Sequence, residues 1–142
     1  MTDAVRIPPI ELAIETGADP ETAWLAITEP DRVVLWLTEV TPLGRVGAPY
    51  RLDFGDGSVV VGEVLVVERG VRFSHTWAWE DAGPGQATVV TWTIEPAPSG
   101  RTRIALRHEG WDEAGDSGAS RDDHEAYWSG YLDDLRDVLE EA

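Results

Sequence analysis

The amino-acid sequence predicts an α+β fold in which a curved antiparallel sheet of about six strands wraps around a long carboxyl-terminal helix, with two short helices after the first strand. Three patterns carry this expectation. Apolar residues alternate with polar ones in the segment from Ile10 and in several segments between Tyr50 and Glu109, the period of a strand with one wet face. Two proline-led helix starts interrupt the strands near residues 20 and 30. Finally, an apolar stripe recurs at three- and four-residue spacing through the last turns of the chain. The chain of 142 residues has no internal repeat and no low-complexity linker, so residues 1–142 read as a single domain.

In the first strand, Ile10, Leu12 and Ile14 share one face and Glu11, Ala13 and Glu15 the other. Asp19, Pro20 and Glu21 follow as an N-cap, a first-turn proline and an acid at the positive end of the helix dipole, starting a helix that runs to about Thr28. Thr28, Pro30 and Asp31 repeat the signal for a second helix to about Leu37, carrying Val33, Val34 and Trp36. Tyr50, Leu52 and Phe54 alternate up to the Gly55-Asp56-Gly57 turn, and a run from Val59 to Val67 completes a hairpin. Both parities of that run are apolar, so alternation does not say which face looks inward. Strands then follow at Val71 to Trp79, Gln86 to Glu95 and Arg101 to Glu109, separated by turns at residues 82–85 and 96–100. The terminal helix is expected to start near Ser120, with Ser120 as cap and Asp123 at the third position. Its stripe comprises Tyr127, Trp128, Tyr131, Leu132, Leu135, Val138 and Leu139.

The net charge of −16 arises from 27 acidic residues against 11 basic ones, all of them arginine. Nucleic acid is excluded as a partner on this basis, because phosphate backbones are bound by clustered cations and these arginines are scattered and outnumbered. With no cysteine, the chain has neither disulfides nor thiolate chemistry, which suits a reducing compartment. The segment MTDAVRIPPIELAIE lacks a basic start with an apolar core, and no apolar run is long enough to span a bilayer. The expectation is a soluble, acidic, cytoplasmic protein, monomer or homodimer.

The stretch from Pro20 to Thr28, followed by Trp36-Leu37, resembles the opening of the activator of heat-shock protein 90 ATPase homologue family, within the START-like (SRPBCC) superfamily. Gly62-Glu63-Val64, the strand from Phe73 to Trp79, Val90 to Pro96, Thr102 to Trp111, and Tyr127 through Leu135 are similar to that family's later strands and terminal helix, in the same order. Two positions depart from the family pattern: Tyr127-Trp128 stands where the family usually has Gly-Trp, and His75 where it often has an aromatic or aliphatic residue. The resemblance implies a helix-grip fold with a cavity between sheet and helix, in a family whose members bind apolar ligands or assist a chaperone.

Seven tryptophans are the most unusual compositional feature. Phe73, His75, Trp77 and Trp79 share one strand parity, Val90, Trp92 and Ile94 another, and His108 lies in phase with Thr102, Ile104 and Leu106. Large rigid rings inside a strongly curved sheet fill space unevenly, and the resemblance puts a ligand in the remaining gap. The predicted binding residues are Trp36, Phe54, Phe73, His75, Trp77, Trp79, Trp92, His108, Trp111, Trp128 and Tyr131. Trp77, Trp79, Trp92 and Trp128 are expected as walls, while His75, His108 and Tyr131 offer polar contacts. His124 is expected at the surface, and the loop Trp111 to Ala119, with Gly115 and Gly118, as a mobile segment beside the mouth. No HExxH, no calcium-loop order, no nucleophile elbow and no dinucleotide or phosphate-loop fingerprint is present, so no metal, cofactor or catalytic residue is assigned. The leading expectation is non-enzymatic binding of a small hydrophobic or aromatic molecule. The resemblance also implies two alternatives, a chaperone cofactor and a polyketide cyclase or aromatase-like enzyme.

Overall fold

A computed structural model describes residues 7–43, 45–80, 87–111 and 119–141. Strand β1 (Ile10–Thr16) leads into helices α1 (Pro20–Thr28) and α2 (Pro30–Val33). Strands β2 (Glu39–Val40), β3 (Pro49–Asp53), β4 (Val59–Glu68), β5 (Arg72–Trp79), β6 (Thr88–Ala97) and β7 (Arg101–Glu109) follow, and α3 (Ala119–Glu140) closes the fold. The strands form one antiparallel sheet in the order β1-β7-β6-β5-β4-β3-β2. The described residues therefore form seven strands where about six were expected; the addition, β2, is only two residues long and carries no periodicity to detect. This is the helix-grip arrangement, with α3 against β1 and α1 and its Trp128 ring meeting Trp77 of β5, Trp92 of β6 and His108 of β7. Among the described residues, no helix is long and apolar enough to cross a membrane.

Local chemistry explains most boundaries. The Asp19 carboxylate accepts from the Thr22 backbone N–H at 2.7 Å, and Pro20 opens α1 as expected. The second helix is shorter than predicted. After Val33 the backbone tightens, Leu35 N–H bonding Arg32 O and Trp36 N–H bonding Val33 O, while Trp36 Nε1 donates to the Ala26 carbonyl of α1 at 2.8 Å. That bond turns Trp36 inward and leaves Val34 and Leu35 exposed.

The ambiguous run of strand β4 has a physical cause. Its pairing with β5 shifts between Val64 and Val66, so an inserted residue reverses the parity along the strand. Val60 and Val64 face the core before the shift, and Val67 packs against it afterwards. On α3, Ser120 lies within the helix instead of capping it, and its carbonyl accepts from His124 Nδ1. The expected stripe is buried at Trp128, Leu132, Leu135 and Leu139, but Tyr127 is 63% exposed. The turn at 82–85, the start of the strand at Gln86 and residues 112–118 of the expected mobile loop lie outside the described residues.

Candidate functional site

Strands β5, β6 and β7 point their predicted faces inward: Phe73, His75 and Trp77, then Val90, Trp92 and Ile94, then Ile104, Leu106 and His108 are all buried. A buried indole N–H needs an acceptor, and three of the tryptophans find one in an imidazole. Trp92 Nε1 donates to His75 Nε2 at 3.4 Å, Trp128 Nε1 to His108 Nδ1 at 3.0 Å, and Trp79 Nε1 to His124 Nε2 at 3.0 Å. Because an indole nitrogen only donates, each accepting imidazole nitrogen is unprotonated and the opposite nitrogen carries the hydrogen. His108 Nε2 accordingly donates to Thr88 Oγ1 at 2.6 Å, and Thr88 passes its hydroxyl hydrogen to the Trp77 carbonyl at 3.2 Å. His124 Nδ1 donates to Ser120 O at 2.7 Å. His75 Nδ1 lies 3.0 Å from the Tyr50 hydroxyl and 3.1 Å from Thr76 O, and the Tyr50 hydroxyl itself donates to Thr76 O.

Electrostatics match these bonds. Burial pulls His75 down to about 4, partly opposed by its bond to the Thr76 carbonyl. Burial, with smaller contributions from His124 and His75, takes His108 down to about 2. Both rings are neutral at ordinary pH, with both nitrogens engaged. Burial also holds the Tyr50 phenol above its usual range.

Beside this packed interior, a cleft of about 540 Å³ opens between the β3–β4 turn, β5 and α3. Phe54, Asp56, Gly57 and Ser58 line it from the hairpin side, Trp77 and Trp79 from β5, and His124, Tyr127, Trp128 and Tyr131 from α3. Of the residues predicted from sequence, Phe54, Trp77, Trp79, Trp128 and Tyr131 are brought together on this cleft. Trp36, Phe73, His75, Trp92, His108 and Trp111 are instead buried in the packed interior and do not line it. Trp111 donates to the His108 carbonyl at 2.9 Å and rests on that ring at a centroid distance of 4.4 Å.

The expectation for His124 is corrected: it is 7% exposed, held between Trp79 and the Ser120 carbonyl. Its position four residues before Trp128 was the available signal, since i and i+4 share a helix face. Asp56 and Ser58 gave no such signal, being turn residues placed on the cleft by tertiary folding, whereas Tyr127 belongs to the predicted helix stripe.

Trp77 differs from the other indoles. Its Nε1 is the one buried side-chain nitrogen or oxygen among the described residues without a hydrogen-bond partner. Its ring is 5% exposed and touches Trp128 at 5.1 Å and Trp79 at 6.1 Å between centroids. Among the described residues, no group of three or more His, Asp or Glu side chains is placed to hold a metal ion.

The family model described as activator of Hsp90 ATPase homolog 1-like protein matches residues 17–140. The chain belongs to this family. Among solved structures, MLL2253 from Mesorhizobium loti shares 25% identity at a TM-score of 0.80, over 93% of this chain and 98% of that one. DynU16, a protein in the dynemicin biosynthetic locus, shares 26% identity at a TM-score of 0.82 over 93% of this chain, which spans 47% of the DynU16 chain. The Aha1 dimer from Colwellia psychrerythraea, at 21% identity and a TM-score of 0.78 over 93% of this chain and 96% of that one, shares the fold. No curated protein matches the chain. Within the Hsp90 ATPase activator homolog fold, the cleft sits between the first half of the gripped helix and the β3–β4 hairpin.

Proposed function

We propose that this activator-homolog domain binds a small, flat, largely apolar molecule in the cleft between the β3–β4 turn, β5 and α3, without transforming it. The observation that carries this reading is a cleft of about 540 Å³ lined by the rings of Phe54, Trp77, Trp79, Trp128 and Tyr131. The cleft volume falls within the range typical of small-molecule sites, and aromatic residues are among its lining on both the sheet and the helix side. A histidine acting as general base needs a free lone pair within reach of substrate. His124, the imidazole on the cleft, already accepts from Trp79 with its unprotonated nitrogen.

Titration with 2-naphthylmethanol, a neutral probe with a flat ring and a hydroxyl acceptor, tests the reading by calorimetry and by the indole N–H resonances. Saturable binding that moves the Trp77 resonance is expected, and Trp79→Ala should weaken it by about tenfold through loss of a stacking wall. No saturable heat together with an unmoved Trp77 resonance would remove the proposal.

The family description supports a second reading, a chaperone cofactor acting through the acidic surface. It requires salt-sensitive association with a basic face of the chaperone and a change in that chaperone's ATPase rate. An unchanged rate at saturating concentration ends that reading.

A further inference from the structure

The chemistry at the mouth of the cleft narrows the ligand class, on the assumption that the binding reading above holds. Phe54, Trp79 and Tyr131 cluster there, with Phe54 5.8 Å from Trp79 and 6.4 Å from Tyr131 between ring centroids, both pairs tilted rather than stacked. Asp56 stands beside them on the β3–β4 turn, its Oδ1 accepting from the Ser58 backbone N–H at 2.9 Å. That bond holds its carboxyl below the usual carboxylate range, so the group is ionised at neutral pH. Among the described residues the carboxylate has no salt-bridge partner and no arginine lines the cleft. Negative potential reaches across the mouth: besides its own burial, Asp134 and Asp56 raise the Tyr131 phenol.

We propose that the cleft selects a cationic ligand, an alkylated ammonium attached to a flat apolar body, with the cation among Phe54, Trp79 and Tyr131 beside Asp56. The face of an aromatic ring is the negative end of its quadrupole, so a cation is attracted to several such faces at once and an anion is repelled. An alkylated ammonium suits the site better than a primary one. It is weakly hydrated, so ring faces replace the water it gives up, whereas a primary ammonium would surrender hydrogen bonds that this cluster does not return. The flat body then lies inward against Trp128 and Trp77.

The test compares three probes sharing one ring system: (2-naphthylmethyl)trimethylammonium, 2-naphthylmethanol and 2-naphthylmethanesulfonate, titrated calorimetrically in about 0.15 M salt, where long-range fields are screened beyond about 8 Å. The cation is expected to bind at least about tenfold more tightly than the alcohol, and the sulfonate more weakly than either. Asp56→Asn, which keeps an acceptor for Ser58 N–H, should narrow the gap between cation and alcohol several-fold. Glu15→Gln removes the same charge from β1, on the opposite edge of the sheet from the hairpin, and should leave the gap as it is. Equal affinity for cation and alcohol overturns the charge preference while leaving the binding reading in place. An equal narrowing by both substitutions overturns it too, by assigning the preference to the overall charge. Absence of binding by all three probes removes both proposals.

Discussion

Trp128 gives its indole hydrogen to His108, His108 gives its own to Thr88, and Thr88 gives its hydroxyl hydrogen to the Trp77 carbonyl. Protonating His108 at Nδ1, or His75 at Nε2, would turn an acceptor into a donor facing an indole N–H. The folded protein therefore binds fewer protons at these rings than the unfolded chain does below its ordinary histidine range. Both pKa values are depressed on folding, so the associated stability is fully present above about pH 6.5 and is lost as pH falls toward the folded values, about 4 for His75 and about 2 for His108. Urea denaturation at pH 7 and pH 5 should show a loss on the order of 2 kcal/mol per histidine. Equal stability at both pH values would mean that the rings are not neutral and buried as described. Thr88→Val removes the middle of the relay and leaves the buried His108 Nε2–H without its acceptor, a loss of about 1–3 kcal/mol by the same measurement. The sequence showed that His75 and His108 face inward, because strand parity is local. It did not show that their nitrogens are consumed by tryptophans distant in sequence, since such pairings exist only once strands and helix have docked.

At the scale of elements, legibility followed period and length. Strands β1, β5, β6 and β7 declared their inward faces by alternation, and α1 its start by Asp19 and Pro20. Strand β4 did not, because its register shift puts apolar residues on both parities, and β2 is too short to alternate. The cleft side of α3 was only half legible: Trp128 and Tyr131 belong to the apolar stripe, while His124 continues it in polar form. Strand β4 also hides a steric requirement. A Cβ on Gly62 would fall 2.6 Å from Tyr50 Cε1 and against the Thr76 backbone carbonyl, so glycine lets the Tyr50 ring cross the strand to reach Thr76 and His75. Gly62→Ala should displace that ring and cost roughly 1–3 kcal/mol in chemical denaturation through overpacking. On α3, Leu135 is fully buried beneath the sheet, and Leu135→Ala should cost about 2–5 kcal/mol. A far smaller loss would show that the helix is gripped elsewhere along its length.

The whole molecule carries a charge of −16, and its ion pairs among the described residues mostly join half-exposed side chains, such as Arg101 with Glu140 and Arg103 with Glu95. Pairs of that kind contribute little each, whereas the summed repulsion of the excess carboxylates opposes the compact state. Raising salt from about 10 mM to about 300 mM should therefore raise the thermal midpoint, because screening relieves more repulsion than it weakens attraction. A falling midpoint would show that the ion pairs outweigh the net charge. Another property belongs to the assembled fold alone. Trp36, Trp92, Trp128, Trp77 and Trp79 form an unbroken file of indoles, each 5.1 to 6.1 Å from the next between centroids, ending at the cleft. At such spacings electronic excitation hops between rings faster than it is emitted, so light absorbed deep in the sheet can leave from whichever indole lies lowest in energy. A guest that quenches Trp79 alone would then dim the emission of the entire file, making the native protein its own optical sensor of occupancy.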